Sequence, residues 1–279
     1  MLSIEDKMYI DGNCWIGEPI LYNEFELDSP RIIDVIKIKE TFFENMITLF
    51  RLNENCLSND DLKISKSIGF FNYMFVKHRE SFITSCLNIF KIIFRTNIEN
   101  VKYGFYEDST LYITINQEDK TLTIDKDNYD YIREVIIYMC CRDNLTKKDF
   151  ENKKEETPDL SNIKSASKRR MIMRVFKNKQ KSKEEELRLA RLSTSWTTMY
   201  VNLVNWDSAI NYEEKKNMTL KQIYTSYRYL ALKEDSDYVR MISTNPFMDD
   251  KSRKKLDLSF PNEKFNKQIL IPMYSDEKQ

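Results

Sequence analysis

The sequence predicts a mainly α, helical bundle-like protein carrying one small β-hairpin at about 110–124. Apolar residues recur at three- and four-residue spacings through most of the chain, one stretch alternates with period two, and only 4 of 279 residues are glycine. The glycine count also bears on function. Phosphate-cradling loops, nucleophile elbows and oxyanion turns need residues that tolerate positive φ or close backbone approach, and glycine usually supplies them. With 1 histidine besides, the sequence announces no reaction. It reads as a non-enzymatic, interaction-type protein with no cofactor and no metal.

Residues 1–30 hold Gly12, Gly17, Pro19 and Pro30 among short apolar bits such as Ile20, Leu21 and Tyr22, a loop or short-strand lead-in. A helix is expected from Pro30 to about Asn53, on Ile32, Val35, Ile36, Phe42, Phe43, Met46, Leu49 and Phe50. Asn59, Asp60 and Asp61 offer turn and capping chemistry for a helix near 60–76. The next helix, 79–95, carries so wide an apolar face, from Phe82 to Phe94, that it belongs in the centre of a core.

The pattern changes at about 101. Leu111, Ile113 and Ile115 alternate with Tyr112 and Thr114, a polar turn follows at 117–120, and Leu122 and Ile124 resume the alternation. Asp127 is expected to cap a helix facing inward through Ile132, Val135, Ile136, Met139 and Cys140. These elements form a helical domain over 1–150. Charge blocks and Pro158 then mark a charged linker or projecting helix at 151–185. In the C-terminal helical region, 186–245, Leu189, Leu192, Trp196, Met199, Leu203 and Trp206 recur at a/d spacing. Thr219 and Gln222 make a capping box for a helix burying Leu220, Ile223, Tyr224, Tyr227, Leu230 and Ala231. The tail, 246–279, is charged and expected to be partly disordered.

Composition bounds the partners. The chain has 44 basic and 44 acidic side chains, so no global field draws it to nucleic acid or an anionic membrane. No apolar run approaches a membrane span, and the start of the chain lacks a basic segment followed by an apolar one, so a soluble intracellular protein with no membrane partner is expected. Aromatics at 13% suit a heavily aromatic core, sticky surfaces, or both. The 5 cysteines are irregularly spaced and read as reduced thiols, Cys140 in the core and Cys141 at its boundary.

Several chemical readings can be weighed on residues alone. Without Cys-x-x-Cys and with only His78, a zinc site lacks ligands. Asp125, Asp127 and Asn128 start like a calcium loop, but Asp130 and Ile136 stand where glycine and glutamate are required, so capping accounts for them better. Asp108 with Glu118-Asp119-Lys120 has the residue types of a magnesium nuclease, yet the Glu-x-Lys falls in a turn rather than along a strand. Residues 164–183 hold nine basic side chains and no acidic one. Lys168, Arg169, Arg170, Arg174 and Lys177 form the centre of this basic patch, which is either a solvated helix face or a contact for phosphates or an acidic partner. The stripe ending at Trp206 is either a buried bundle helix or a seam for another helix.

Three segments resemble the tail assembly chaperones of tailed bacteriophages of low-GC Gram-positive hosts. They are Ile20-Leu-Tyr-Asn-Glu-Phe-Glu-Leu-Asp-Ser-Pro-Arg-Ile-Ile-Asp-Val, then the hairpin with Asp127-Asn-Tyr-Asp-Tyr-Ile-Arg-Glu-Val-Ile, then Asn217-Met-Thr-Leu-Lys-Gln-Ile-Tyr-Thr-Ser-Tyr-Arg-Tyr-Leu. Their order and spacing span roughly 20–245. The chain departs from the family pattern in its charged insert around 150–185 and in offering Thr157-Pro158 where the family has Asn-Pro. The resemblance implies a chaperone of the host cytoplasm that coats a long helical client, the tape measure protein, or contacts the tail tube. Trp196, Met199, Leu203, Trp206, Tyr224 and Tyr227 are the candidate client-facing or flanking residues. A structural tail or baseplate component, or a nucleic-acid binder using helix 164–183, are the alternatives.

Overall fold

The computed structural model describes residues 2–117, 120–143, 145, 168–177, 195–206, 215–244, 248 and 256–265. Within them the protein is mainly α, with a two-stranded and a three-stranded antiparallel sheet.

The lead-in holds the short strand that the sequence allows at Ile20–Tyr22, but a helix precedes it. Helix α1 (Ile4–Ile16) opens on a capping box in which Ser3 accepts from the Asp6 amide and Asp6 reaches back to Ser3, and it closes on Gly17 at φ 79°. Those start and stop signals stand in the sequence at Ser3-x-x-Asp6 and Gly17. Strands β1 (Ile20–Tyr22) and β2 (Phe25–Leu27) then form a hairpin.

The single helix expected from Pro30 to Asn53 is two helices, α2 (Ile32–Ile38) and α3 (Glu40–Arg51), separated at Lys39, whose φ is 68°. The break turns Ile36 and Phe42 outward, each 44% exposed, while Ile32, Val35, Phe43, Met46 and Phe50 stay buried. Helix α4 (Asn59–Ile68) is capped by Ser58, which accepts from the Asp61 amide, so Asn59, Asp60 and Asp61 fill its first turn instead of capping it. It ends at Gly69 rather than running to 76. Helix α5 (Phe70–Ile93) follows at once and kinks at Arg79, φ 40°. His78 sits half-buried just before that kink. The wide apolar face expected of the second half is confirmed, with Phe82, Cys86, Ile89, Phe90 and Ile93 fully buried.

The alternating segment forms β4 (Leu111–Gln117) and β5 (Lys120–Ile124), and β3 (Val101–Phe105) adds an edge strand to give the order β3-β4-β5. Helix α6 (Tyr129–Met139) starts at Asn128, not Asp127. Asn128 binds both sides of the preceding turn, accepting from the Asp125 amide and donating to the Thr123 carbonyl, while the Asp127 amide donates to Asp125 in an Asx turn. Tyr129 lies at the centre of the core, with the rings of Phe71, Phe82 and Phe50 at 4.6, 5.8 and 6.2 Å.

A helix over 168–177, here α7, carries the centre of the basic run. Helices α8 (Trp196–Trp206) and α9 (Leu220–Ser243) pack against each other, and α9 also packs on α1. A short helix, α10 (Pro261–Phe265), lies within the charged tail and docks on α9 through Tyr229–Phe265 and Lys264–Asp235. Leu189, Leu192, Glu118, Asp119, Pro158 and most of 151–185 lie outside the described residues.

Candidate functional site

The N-terminus of α9 is fixed first. The expected capping box is present, with Thr219 accepting from the Gln222 amide and Gln222 accepting from the Thr219 amide. Both side chains also reach the end of α1: Thr219 Oγ1 donates to the Cys14 carbonyl at 2.9 Å and Gln222 Nε2 to the Trp15 carbonyl at 2.6 Å. Lys221 then buries its ammonium against Asp11 of α1. Cys14 is enclosed in the same region, its Sγ 2.7 Å from Ser29 Oγ, and burial pushes its thiol up to about 11.

Helix α8 is held from the other side by α3. Glu40 accepts from the Trp196 and Thr197 amides at 2.6 and 3.2 Å, taking up two of the free N–H groups that begin a helix. Glu44 accepts from Trp196 Nε1 and from Arg142, whose guanidinium covers the Trp196 ring at 4.7 Å. Burial is the largest influence on Arg142 and works against its charge, but the hydrogen bond to Glu44, the Glu44 charge and the neighbouring Cys140 and Cys141 together outweigh it, leaving its pKa raised.

Between these anchored helices lies a groove of about 730 Å³. Its apolar lining is Leu203 and Trp206 of α8, Met218, Tyr229 and Leu230 at and along α9, and Phe265 of α10; Lys233, Glu234 and Asp237 supply charge. Lys215 sits at the inner end, donating to the Leu203 carbonyl at 3.0 Å. Leu203 is itself buried, whereas Trp206 is 40% exposed.

The residues singled out from the sequence separate here. Leu203 and Trp206 line the groove. Trp196 and Met199 are core residues, at 0% and 3% exposure. Tyr224 and Tyr227 are half-buried against the core and lie outside the groove lining, and Ala231 is exposed where a buried position was expected. Tyr229, Met218 and Phe265 were missed. Tyr229 falls just off the apolar stripe of its helix, and Phe265 belongs to the charged tail. Lys168, Arg169, Arg170, Arg174 and Lys177 are all exposed on α7, with Met171 and Val175 exposed among them.

Of the nuclease-like set, Asp108 and Lys120 are not brought together, and Glu118 and Asp119 lie outside the described residues. Asp108 closes the β3–β4 turn by accepting from the Thr110 amide and hydroxyl, which lowers its pKa. Lys120 lies beyond the opposite end of β4, paired with Glu24 of the β1–β2 turn. Among the described residues no group of three His, Cys, Asp or Glu side chains is placed to hold a metal ion, and no helix is long and apolar enough to cross a membrane. All five cysteines are free thiols.

The fold and groove thus define a mainly α protein with an aromatic surface channel. Comparison with known protein families, with curated proteins and with solved structures returns no match.

Proposed function

We propose that this chain is a non-catalytic assembly factor that holds an amphipathic helix of a structural partner in the α8–α9–α10 groove. The observation that carries the reading is the groove's lining: Trp206, Tyr229, Leu230 and Phe265 form an apolar floor, and Lys233, Glu234 and Asp237 supply charge along one helix. A helix that lays its apolar stripe in such a channel gains burial from the aromatic anchors, while the charged residues fix orientation. Taken with the three segments that resemble tail assembly chaperones, the client is a long helical phage protein of the tape measure type, met in the host cytoplasm.

The test is co-purification of the full chain with tape measure and tail tube proteins, followed by titration of the captured client against wild type, Trp206→Ala and Tyr229→Ala. Each variant is expected to weaken binding by roughly tenfold or more, since buried aromatic anchors dominate such interfaces. Binding that is undiminished in both variants, or no binding to either phage protein, overturns the proposal.

Helix α7 supports a second reading. Its exposed Lys168, Arg169, Arg170, Arg174 and Lys177 form a basic face suited to phosphates. DNA retention that falls steeply with salt, and is lost on charge removal at Arg169, Arg170 and Arg174, would favour it over the groove.

A further inference from the structure

Among the described residues the three-stranded sheet ends at β3 on an edge that is open in a regular way. In the β3–β4 pairing, Tyr106 N donates to the Thr110 carbonyl at 2.9 Å, and the register runs Phe105 to Leu111, Gly104 to Tyr112 and Tyr103 to Ile113. Hydrogen-bonded and non-hydrogen-bonded pairs alternate in an antiparallel ladder, so Lys102, Gly104 and Tyr106 point their peptide groups at β4. The N–H and C=O groups of Tyr103 and Phe105 therefore point away from the sheet. The Val101 N–H is already satisfied, donating to the Ile98 carbonyl.

The side chains at this edge are as exposed as the backbone. Tyr103 and Phe105 lie on the inner face with Ile113 and Leu111, yet they stand past the rim of the helical layer, 51% and 48% exposed. Phe105 packs against Phe75 at 5.3 Å and Tyr103 at 6.2 Å. Sheets usually protect such edges with proline, bulges or several charges. Val101-Lys-Tyr-Gly-Phe105 has a single charge, no proline and an unbroken register.

We propose that β3 pairs antiparallel with β3 of a second copy, about a two-fold axis at Gly104, to make one continuous sheet across a dimer. Three features select a second copy. First, pairing about Gly104 sets Tyr103 opposite Phe105 of the other chain on both sides of the axis, so the outward peptide groups of Tyr103 and Phe105 meet their complements on the other strand. Second, the non-hydrogen-bonded pair on the axis is Gly104 with Gly104, where Cα atoms approach to about 4.5 Å. Neither glycine brings a side chain of its own to that approach, and the Tyr112 ring from β4 covers Gly104, its hydroxyl 2.5 Å from where a Cβ would stand. Third, the strand is basic at its start, Lys102, and acidic just past its end, Glu107 and Asp108. Antiparallel pairing brings those ends together, and parallel pairing does not. The Tyr103 and Phe105 rings then form cross-strand aromatic pairs, the kind of contact that stabilises a sheet.

Sedimentation of the full chain over a wide dilution series, with hydrogen exchange read at the Tyr103 and Phe105 amides, tests this. The expected result is a concentration-dependent dimer in which both amides gain protection as the dimer fills. Tyr103→Pro removes one outward donor without touching a bond to β4, and Phe105→Lys puts a charge into the aromatic pair. Either variant should weaken the dimer by roughly tenfold or more while the circular dichroism spectrum is kept. Trp206→Ala, in the groove, should leave it unchanged, which separates this interface from the client site. A wild-type chain that stays monomeric, or a dimer that persists in both folded variants, overturns the proposal. So does an edge protected only when another protein's extended segment is added.

Discussion

Lys221 Nζ stands 2.6 Å from Asp11 Oδ1, and both side chains are 2% exposed. Tyr138 OH donates to the other carboxylate oxygen at 2.8 Å, and its ring lies beneath the Lys221 ammonium at 4.0 Å. One buried ion pair thus joins α9 to α1, with α6 supplying the ring and the hydroxyl. Desolvation of the two charges offsets much of their attraction, so the pair's worth lies in where it holds α9. Removing one partner is different, because a charge is then buried alone. Asp11→Ala or Lys221→Met should each cost about 3–5 kcal/mol in urea unfolding. The double variant should cost clearly less than the sum, and strict additivity would show that the two groups do not interact.

Glu40 caps a helix to which it does not belong. Its carboxylate accepts from the amides of Trp196 and Thr197 and from the Thr197 hydroxyl. Glu40→Ala removes an acceptor and a favourable charge from the start of α8, a change expected to cost about 1–2 kcal/mol. Because the cap is local, the loss should appear as faster hydrogen exchange across Trp196–Trp206 before it appears elsewhere. Unchanged exchange in that helix would mean that packing of Trp196 alone holds it.

Lys39 and Gly69 occupy the same kind of helix break, at φ 68°, ψ 126° and φ 83°, ψ 145°. Glycine adopts this backbone without strain, whereas a lysine there costs on the order of 1–3 kcal/mol. The Lys39 side chain is exposed. Lys39→Gly should therefore raise the thermal midpoint, and Gly69→Ala should lower it. A fall on Lys39→Gly would show that the entropy lost by glycine on folding exceeds the strain relieved.

The same contrast explains what could be read in the sequence. Periodicity found the second half of α5, the β4–β5 hairpin and the Thr219 capping box, because each is set by local spacing. Scarce glycine removes the usual marker of a positive-φ position. Instead Asn23, Glu24, Lys39, Arg79, Arg95, Ser109 and Cys141 all take positive φ. Breaks at Lys39 and Arg79 therefore carry no glycine or proline marker, and a two-helix segment read as one. The groove was half legible. Leu203 and Trp206 follow from the 3-4-3 spacing, but Tyr229 and Phe265 enter only once α9 and α10 are placed beside α8. The β3 edge was not legible at all, since its inward aromatics are exposed by the limits of the helical layer rather than by their own pattern.

Thiol chemistry gives a check on the core that needs no partner. Cys86 and Cys140 are completely buried, and burial raises both well above the ordinary thiol value of 9.0. Cys14 is raised to about 11, by burial first, against the opposing hydrogen bond from Ser29. At pH 8 only about one in a thousand Cys14 groups is thiolate, so alkylation of the native chain should spare Cys14, Cys86 and Cys140 and begin at half-buried Cys56. The raised values also fix a pH trend. Between the unfolded value near 9.0 and the folded value near 11, the unfolded chain ionises Cys14 and the folded chain does not, so stability falls as pH rises through that window. Cys14→Ala removes this contribution, and its unfolding midpoint should fall less steeply than that of wild type from pH 9 to 11. Equal slopes, or early alkylation of Cys14 in the native chain, would place that thiol in contact with water and open the junction of α1 with α9.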